Sequence, residues 1–333
     1  MPDDSPRVLI IRLDGIGDAL ALAPLLAALH EHRIAVELVL RDANAEAFAA
    51  RAAERIHRAP FDLRDGSRAN RERIAAFGRT LRGRYTHALV ATEDPGGYLL
   101  AAAIAAPVCV GFVNGWGKPL KTLWVRRLMT HVRWRSAGLD RRAPHECAVL
   151  FGLGEPLLGA HVRPTRDPAV LRPLVLDTEP DPCDAVVVQV TDKWERSDIA
   201  FTEVVAAARA VAEVHPVRAL ASAAEEETAR RFERKTGIAV ERFATLPPWK
   251  AAVASARAVI APDGGAVHVA SMTGTPVVAV FPPQPAFHLQ VARWSPWAAP
   301  HVIVEARPGR WPDDAARAAL RLAPAIRNAP HTT

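Results

Sequence analysis

Short runs of β-branched and aliphatic residues recur along the chain, separated by stretches rich in Ala, Arg and Glu. Arg7–Leu13 (RVLIIRL) is the first, and its continuous apolar character fits a strand buried on both faces of a parallel sheet. Asp14-Gly15-Ile16-Gly17-Asp18 interrupts it, and Ala19–His32 follows with helical composition. Strand-like runs return at Val36–Leu40, His87–Thr92 and Val108–Phe112. From Gly154 to Pro182 the pattern breaks: six prolines (156, 164, 168, 173, 180 and 182) exclude a central strand and argue against a helix. The alternation restarts with strands predicted at Ala185–Val190, Val217–Ala221, Val240–Phe243, Ala258–Ala261, Val277–Phe281 and Val302–Glu305. Helices are predicted at Ile199–Val214, Glu225–Thr236 and Pro312–Asn328. Strands alternating with helices specify an α/β protein with parallel sheets. The expected organisation is a Rossmann-like domain over 1–165, a Pro-rich linker over 166–183, a second Rossmann-like domain over 184–310, and a terminal segment, 311–333, whose helix packs back on the first domain. Two doubly wound domains would face each other across a cleft. Ligands bind outside the carboxyl ends of such strands, so the loops after strands carry the chemistry.

Length and composition agree with this picture. The 333 residues suit two domains, and 50% hydrophobic with 23% charged residues is material for two cores. Lys and Arg total 42 against 36 Asp and Glu, a formal charge of +6. That excess admits an anionic ligand or surface without requiring nucleic acid. Cys109, Cys147 and Cys183 are odd in number and far apart, which excludes a disulfide framework or a Cys-x-x-Cys metal site. The polar Met1–Arg7 leads straight into a strand, and no run of about 18 apolar residues occurs, so a cytoplasmic protein is expected.

Four segments are candidates for function. In Asp14–Asp18, Gly15 and Gly17 permit close backbone approach, but Leu20 stands where a dinucleotide fingerprint needs its third glycine. Asp18 is either a base favoured by the helix N-terminus or simply a helix cap. In Val259–His268, a strand ends at Pro262, and Asp263, Gly264 and Gly265 open a helix whose N–H groups suit phosphate. Asp263 suits sugar hydroxyls. His268, one turn in, is either a ligand contact or a packing residue. Thr191 and Lys193 after the first strand of the second half would offer a hydroxyl and an ammonium to a diphosphate. Trp116–Arg142 carries Lys118, Lys121, Arg126, Arg127, Arg133, Arg135, Arg141 and Arg142 with Trp124 and Trp134, against Asp140 alone. It fits an anionic acceptor, lipid headgroups or a solvated helix face, and no nucleic-acid motif accompanies it.

RVLIIRLDGIGDALALAPLLAALHE and APDGGAVHVASMTGTPVVAVFPP resemble the two signatures of glycosyltransferase family 9, the heptosyltransferases of lipopolysaccharide core assembly. His145-Glu146 and Arg293-Trp294-Ser295-Pro296-Trp297 also resemble family features. The resemblance implies a GT-B fold and metal-independent, inverting transfer of heptose, from an ADP-heptose donor used as substrate with no cofactor, to a lipopolysaccharide-core or other anionic glycan or glycolipid acceptor at the inner-membrane surface. By position it makes Asp18 the catalytic base. Lys193, Asp263, Gly264 and Gly265 become donor contacts, with Thr191 and His268 beside them, and Lys118, Arg126 and Arg127 lie on the acceptor side. Gly264 stands where the family usually has Thr, and Pro282-Pro283-Gln284 replaces Gly-Pro-Thr. Two other readings suit the same architecture: a nucleotide-sugar epimerase or hydrolase, and a catalytically silent scaffold that binds sugar nucleotides.

Overall fold

The computed structural model describes residues 5–140 and 144–323. The chain divides between Thr165 and Arg166 into two compact units. The first holds strands β1 (Arg7–Ile11), β2 (Ala35–Leu40), β3 (Arg55–Arg58), β4 (His87–Val90), β5 (Val108–Val113) and β6 (His131–Trp134). The second holds β7 (Val186–Gln189), β8 (Val217–Ser222), β9 (Val240–Phe243), β10 (Ala258–Pro262), β11 (Val277–Phe281) and β12 (His301–Glu305).

The sheets run β3-β2-β1-β4-β5-β6 and β12-β11-β10-β7-β8-β9. Every ladder is parallel, as β1 shows on both sides, with Val8 opposite Val36 and His87. Counted within its own unit, each sheet has the doubly wound order 3-2-1-4-5-6. Strand order reverses between β1 and β4 in one sheet and between β7 and β10 in the other. The loops after these four strands therefore flank the two crevices such sheets offer to ligands. β1, β7, β10 and β11 are buried almost throughout, as strands covered by helices on both faces must be.

Two strands lacked a sequence signal. β3 (RIHR) and β6 (HVRW) are four-residue edge strands, exposed at their ends and only half-buried between, so their polar composition fits the sheet margin. The predicted helix Ala19–His32 is two helices, Ile16–Leu20 and Ala23–Glu31, with Pro24 in the first turn of the second.

The expected linker is corrected in the same way. Residues 166–183 belong to the second unit and contain the helix Pro168–Val175. Pro168 occupies the first turn, where a missing N–H costs nothing, and Asp167 caps that turn. Leu171, Leu174 and Val175 are buried, and Arg172 Nη1 donates to Thr273 O at 2.7 Å. The expectation that the terminal helix packs on the first domain fails over Trp311–Leu322. Its Trp311, Ala315, Ala316, Ala318 and Ala319 complete the second unit's core, and Trp311 stacks on Trp194 at 5.6 Å. The rest of the predicted helix, from 324, lies outside the described residues.

Candidate functional site

The loop after β1 places Asp18 at the third position of the helix Ile16–Leu20. Asp18 Oδ2 accepts from the Gly15 N–H at 3.2 Å, and Oδ1 accepts from Arg12 Nη2 at 3.1 Å. Asp18 thus caps the helix, yet its side chain keeps about a third of its surface in solvent. Gly15 needs no special dihedral, its φ being −68°. What it provides is clearance, since a Cβ there would stand 3.3 Å from Asp18 Oδ2. A five-residue helix carries only part of a full macrodipole, and the strong positive charge beside Asp18 is Arg12.

Arg12 was not among the residues that sequence pattern singled out. It is almost wholly buried and faces three carboxylates: Asp14 at 3.2 Å, Asp18 at 3.1 Å and Glu146 at 3.7 Å. Its Nη1 donates to the carbonyl of Ala91 after β4. Glu146, fully buried, follows His145, which caps the helix Glu146–Phe151 by accepting from the Cys147 N–H at 3.1 Å. Glu146 also pairs with Arg135 at 2.9 Å, and Arg135 lies 3.4 Å from Glu93. Lys121 Nζ and Asn114 Nδ2 donate to Glu93 at 2.9 and 2.7 Å. Burial opposes ionisation of Glu93, but these donors hold its carboxyl below the usual glutamate range. Burial likewise pulls the Lys121 ammonium down, against the Glu93 contact. The result is a chain of alternating charges from β6 inward to Asp18. A cation at the end of an otherwise apolar strand was the available signal for Arg12.

Asp14 sits differently. Burial raises its pKa, with Arg12 working against that and Asp18 adding to it. Asn44 donates to the Asp14 carbonyl, and Arg64 lies 3.5 Å from its carboxylate. A pocket of about 320 Å³ opens here, lined by Asp14, Gly15, Ile16, Arg41, Asn44 and Arg64 among others.

The basic segment divides. Lys121, Arg133 and Arg135 turn inward onto Glu93, Glu155 and Glu146. Lys118, Arg126 and Arg127 are exposed on the helix Pro119–Leu128 and the turn before it, and among the described residues no hydrogen bond or ion pair joins them to the Asp18 loop. Their expected place beside the acceptor has no support in this geometry. Arg141 and Arg142 lie outside the described residues.

In the second unit, the turns after β7 and β10 meet. Trp194 anchors the first: its Nε1 donates to Gln189 O at 2.8 Å, and its ring is buried against Trp311. This fixes Lys193 beside Gly264, where a Cβ would lie 2.9 Å from the Lys193 Nζ. Lys193 is half-buried and has no carboxylate within ion-pair distance among the described residues. Gly264 is the N-cap and Gly265 the first residue of the helix Gly265–Thr273, with no side chain capping its N–H groups. Ammonium and uncapped N–H groups thus converge. Asp263 is partly exposed beside them, and its Oδ2 accepts from Gln290 at 3.3 Å.

Thr191 and His268 serve the scaffold here. The Thr191 hydroxyl donates to Glu225 Oε1 at 2.5 Å and accepts from the Lys193 N–H at 3.2 Å. The His268 ring is buried edge-on against Trp294, at 5.9 Å. Glu225, just after β8, also accepts from the Asp192 N–H and was missed in the sequence. Among the described residues, no group of three or more His, Cys, Asp or Glu is placed to hold a metal ion. None of their helices is long and apolar enough to cross a membrane.

No family model matches the chain, and no curated protein matches it in sequence. Solved structures do. The chain is similar to a glycosyl transferase of family 9 from Veillonella parvula, with a TM-score of 0.73 at 15% identity, over 97% of this chain and 98% of that one. Against E. coli heptosyltransferase WaaC with ADP-2-deoxy-2-fluoro heptose, the TM-score is 0.70 at 19% identity, over 97% and 100% of the chains. Against E. coli ADP-heptose lps heptosyltransferase II it is 0.68 at 13% identity, over 96% and 99%. Identities this low speak to architecture, and the architecture is clear: the chain has the α/β fold of the family 9 glycosyltransferases, with two doubly wound parallel sheets.

Proposed function

We propose that the chain is an inverting glycosyltransferase that moves a heptose from ADP-heptose to an anionic glycan or glycolipid of the lipopolysaccharide-core kind, without a metal ion or cofactor. The observation that carries this reading is the unpaired Lys193 ammonium held against the uncapped start of the helix Gly265–Thr273. Such a pairing of cation and N–H groups suits a diphosphate. WaaC structures with ADP and with its fluorinated ADP-heptose support an adenosine diphosphate donor. Glu225 and Asp263 are carboxylates at strand ends, positions that suit ribose and sugar hydroxyls.

In the proposed reaction the acceptor hydroxyl attacks the anomeric carbon on the face opposite the diphosphate. Its proton passes to Asp18. A carboxylate has about four lone-pair sites, and Gly15 and Arg12 occupy one on each Asp18 oxygen, so a further acceptor position is open. The bond from the anomeric carbon to the β-phosphate oxygen breaks, and its electron pair leaves with ADP. Lys193 and the helix N–H groups stabilise that developing charge. Arg41 and Arg64, at the pocket beside Asp14, suit an anionic group on the acceptor.

Thermal shift with ADP, UDP, GDP and CMP, in the presence of a chelator, tests the donor. ADP should stabilise most, because a ligand of the folded state raises its stability by mass action. Equal shifts, or a shift appearing only with Mg²⁺, count against the proposal. ADP release without any acceptor would fit a hydrolase instead.

A further inference from the structure

Large apolar side chains left in solvent are concentrated in one short segment. Trp116 is 95% exposed, Leu120 84%, Leu123 55% and Trp134 56%. Trp116 lies in the turn Gly115–Gly117, directly before the helix Pro119–Leu128. That helix buries Val125 and packs Trp124 and Leu128 on the first unit's core. Leu120, Leu123 and Arg127 follow at i, i+3 and i+7 and share its outward face. Gly115 adopts a φ of +56°, and a Cβ there would lie 3.8 Å from Trp134 Nε1. The turn therefore brings both tryptophans to the same rim.

The charges around this ridge have one sign. The helix Pro119–Leu128 has no acidic residue. Lys118, Arg126 and Arg127 are exposed, with no carboxylate in ion-pair distance among the described residues. Their neighbours Lys121, Arg133 and Arg135 are all neutralised by glutamates. Single exposed Leu or Trp residues are ordinary, but a contiguous apolar ridge rimmed by unpaired cations is the pattern of an interfacial helix.

We propose that this face docks on an anionic lipid bilayer. Trp116, Leu120 and Leu123 enter the boundary between headgroups and acyl chains, and Lys118, Arg126 and Arg127 lie among the anionic headgroups. Charge complementarity selects this occupant. A second copy of the chain would bring like charges together around the ridge. A soluble glycan would leave Leu120 and Leu123 without a partner. Lys118, Arg126 and Arg127 were expected from the sequence on the acceptor side, but the proposed reaction uses none of them, nor Trp116, Leu120 or Leu123, so the docking stands or falls separately from sugar transfer.

The test is co-sedimentation of the full chain with phosphatidylcholine vesicles, with and without about one-third phosphatidylglycerol. Binding should be at least about tenfold tighter to the anionic vesicles and should weaken as salt screens the charges. Each cation near such a surface is worth about a fivefold change. The double variant Arg126→Ala/Arg127→Ala should therefore bind about 25-fold more weakly. Trp116→Ala/Leu120→Ser/Leu123→Ser should abolish binding while melting stays unchanged, because these side chains are exposed in the free protein. Equal affinity for both vesicle types, or no binding to either, overturns the proposal. So does a concentration-dependent dimer that the Leu120→Ser/Leu123→Ser variant dissolves, which would assign the face to a second copy.

Discussion

Replacing Gly264 by alanine should move stability and ligand affinity in opposite directions. A Cβ at 264 would stand 2.9 Å from Lys193 Nζ, 3.5 Å from its Cδ and 3.7 Å from its Cε. Ordinary contact begins near 3.4 Å, so the ammonium must retreat by about 0.5 Å. It is the free end of a flexible side chain, and the retreat costs the fold little. The backbone at 264, with φ 163° and ψ −161°, is extended and open to any residue. Alanine there restricts the unfolded chain and should stabilise the free protein by about 0.4–1 kcal/mol. A bound diphosphate, in contrast, loses the position of its cation. A hydrogen bond to a charged group is worth about 1.5–3 kcal/mol. Weakening one such contact should cost about tenfold in affinity, or about 1.4 kcal/mol. At an ADP concentration about 100 times the wild-type Kd, stabilisation is about 2.7 kcal/mol, and a tenfold weaker variant keeps about 1.4 kcal/mol of it. Scanning fluorimetry with and without ADP should show an unchanged or higher melting temperature for the free variant and an ADP shift roughly halved. An undiminished ADP shift would refute the placement of Lys193 at the diphosphate. A steep fall in the free variant's melting temperature would refute the claim that only the ammonium must move.

Arg12→Lys keeps a cation but cannot reach three carboxylates as the guanidinium does. It should cost about 1.5–3 kcal/mol, lower melting by about 3–12 °C, and reduce turnover by the folded fraction at least about tenfold; turnover equal to wild type would remove Arg12 from the positioning of Asp18. Glu37 accepts from Tyr85 and His57, each at 2.6 Å, and although burial opposes it these bonds hold its carboxyl below the ordinary 4.5. The stability it contributes is present above pH 4.5 and is lost as pH falls through the lower folded value, so Glu37→Gln should flatten the acid limb of a melting-versus-pH curve, and an unchanged limb contradicts this. Asp14 has the opposite sign: its folded pKa lies above the ordinary 3.8, so the wild type loses stability as pH rises from 3.8 through that value. Asp14→Asn should be at least as stable as wild type at neutral pH, and a large loss there would show that its ion pairs outweigh its burial.

Buried strands were legible because their chemistry is uniform. β11 matches its apolar run residue for residue, and β1, β7 and β10 differ only at their ends. β3 and β6 were not legible, because an edge strand meets solvent and its side chains look like those of a loop. Pro168 and Pro173 misled in the other direction: a first-turn proline is compatible with helix, and burial of Leu171 and Leu174 outweighs the second. Of the candidate site, the loops were visible as Gly and Asp after strands, since only such residues leave backbone groups open there. The partners were not. Glu146 lies 128 residues beyond Asp18 in the sequence and Glu225 32 residues beyond Lys193, and only the folded topology brings each pair to one crevice. The basic segment read as one surface, whereas burial split it into paired inward cations and unpaired outward ones.

The most direct test of the proposed chemistry is heptose transfer from ADP-heptose to lipopolysaccharide-core oligosaccharide by Asp18→Asn, measured per folded molecule. An amide has one oxygen for the two donors that now hold the carboxylate, Gly15 N–H and Arg12, so melting should fall modestly, by about 1–2 kcal/mol of stability. ADP affinity should be unchanged, because the residues proposed to hold the diphosphate lie in the second unit. Transfer should fall by about 10²–10⁴-fold, the usual contribution of a positioned base. Asp14→Asn, in the same loop, should retain transfer. Near wild-type transfer by folded Asp18→Asn would contradict the mechanism and leave Asp18 as a helix cap alone.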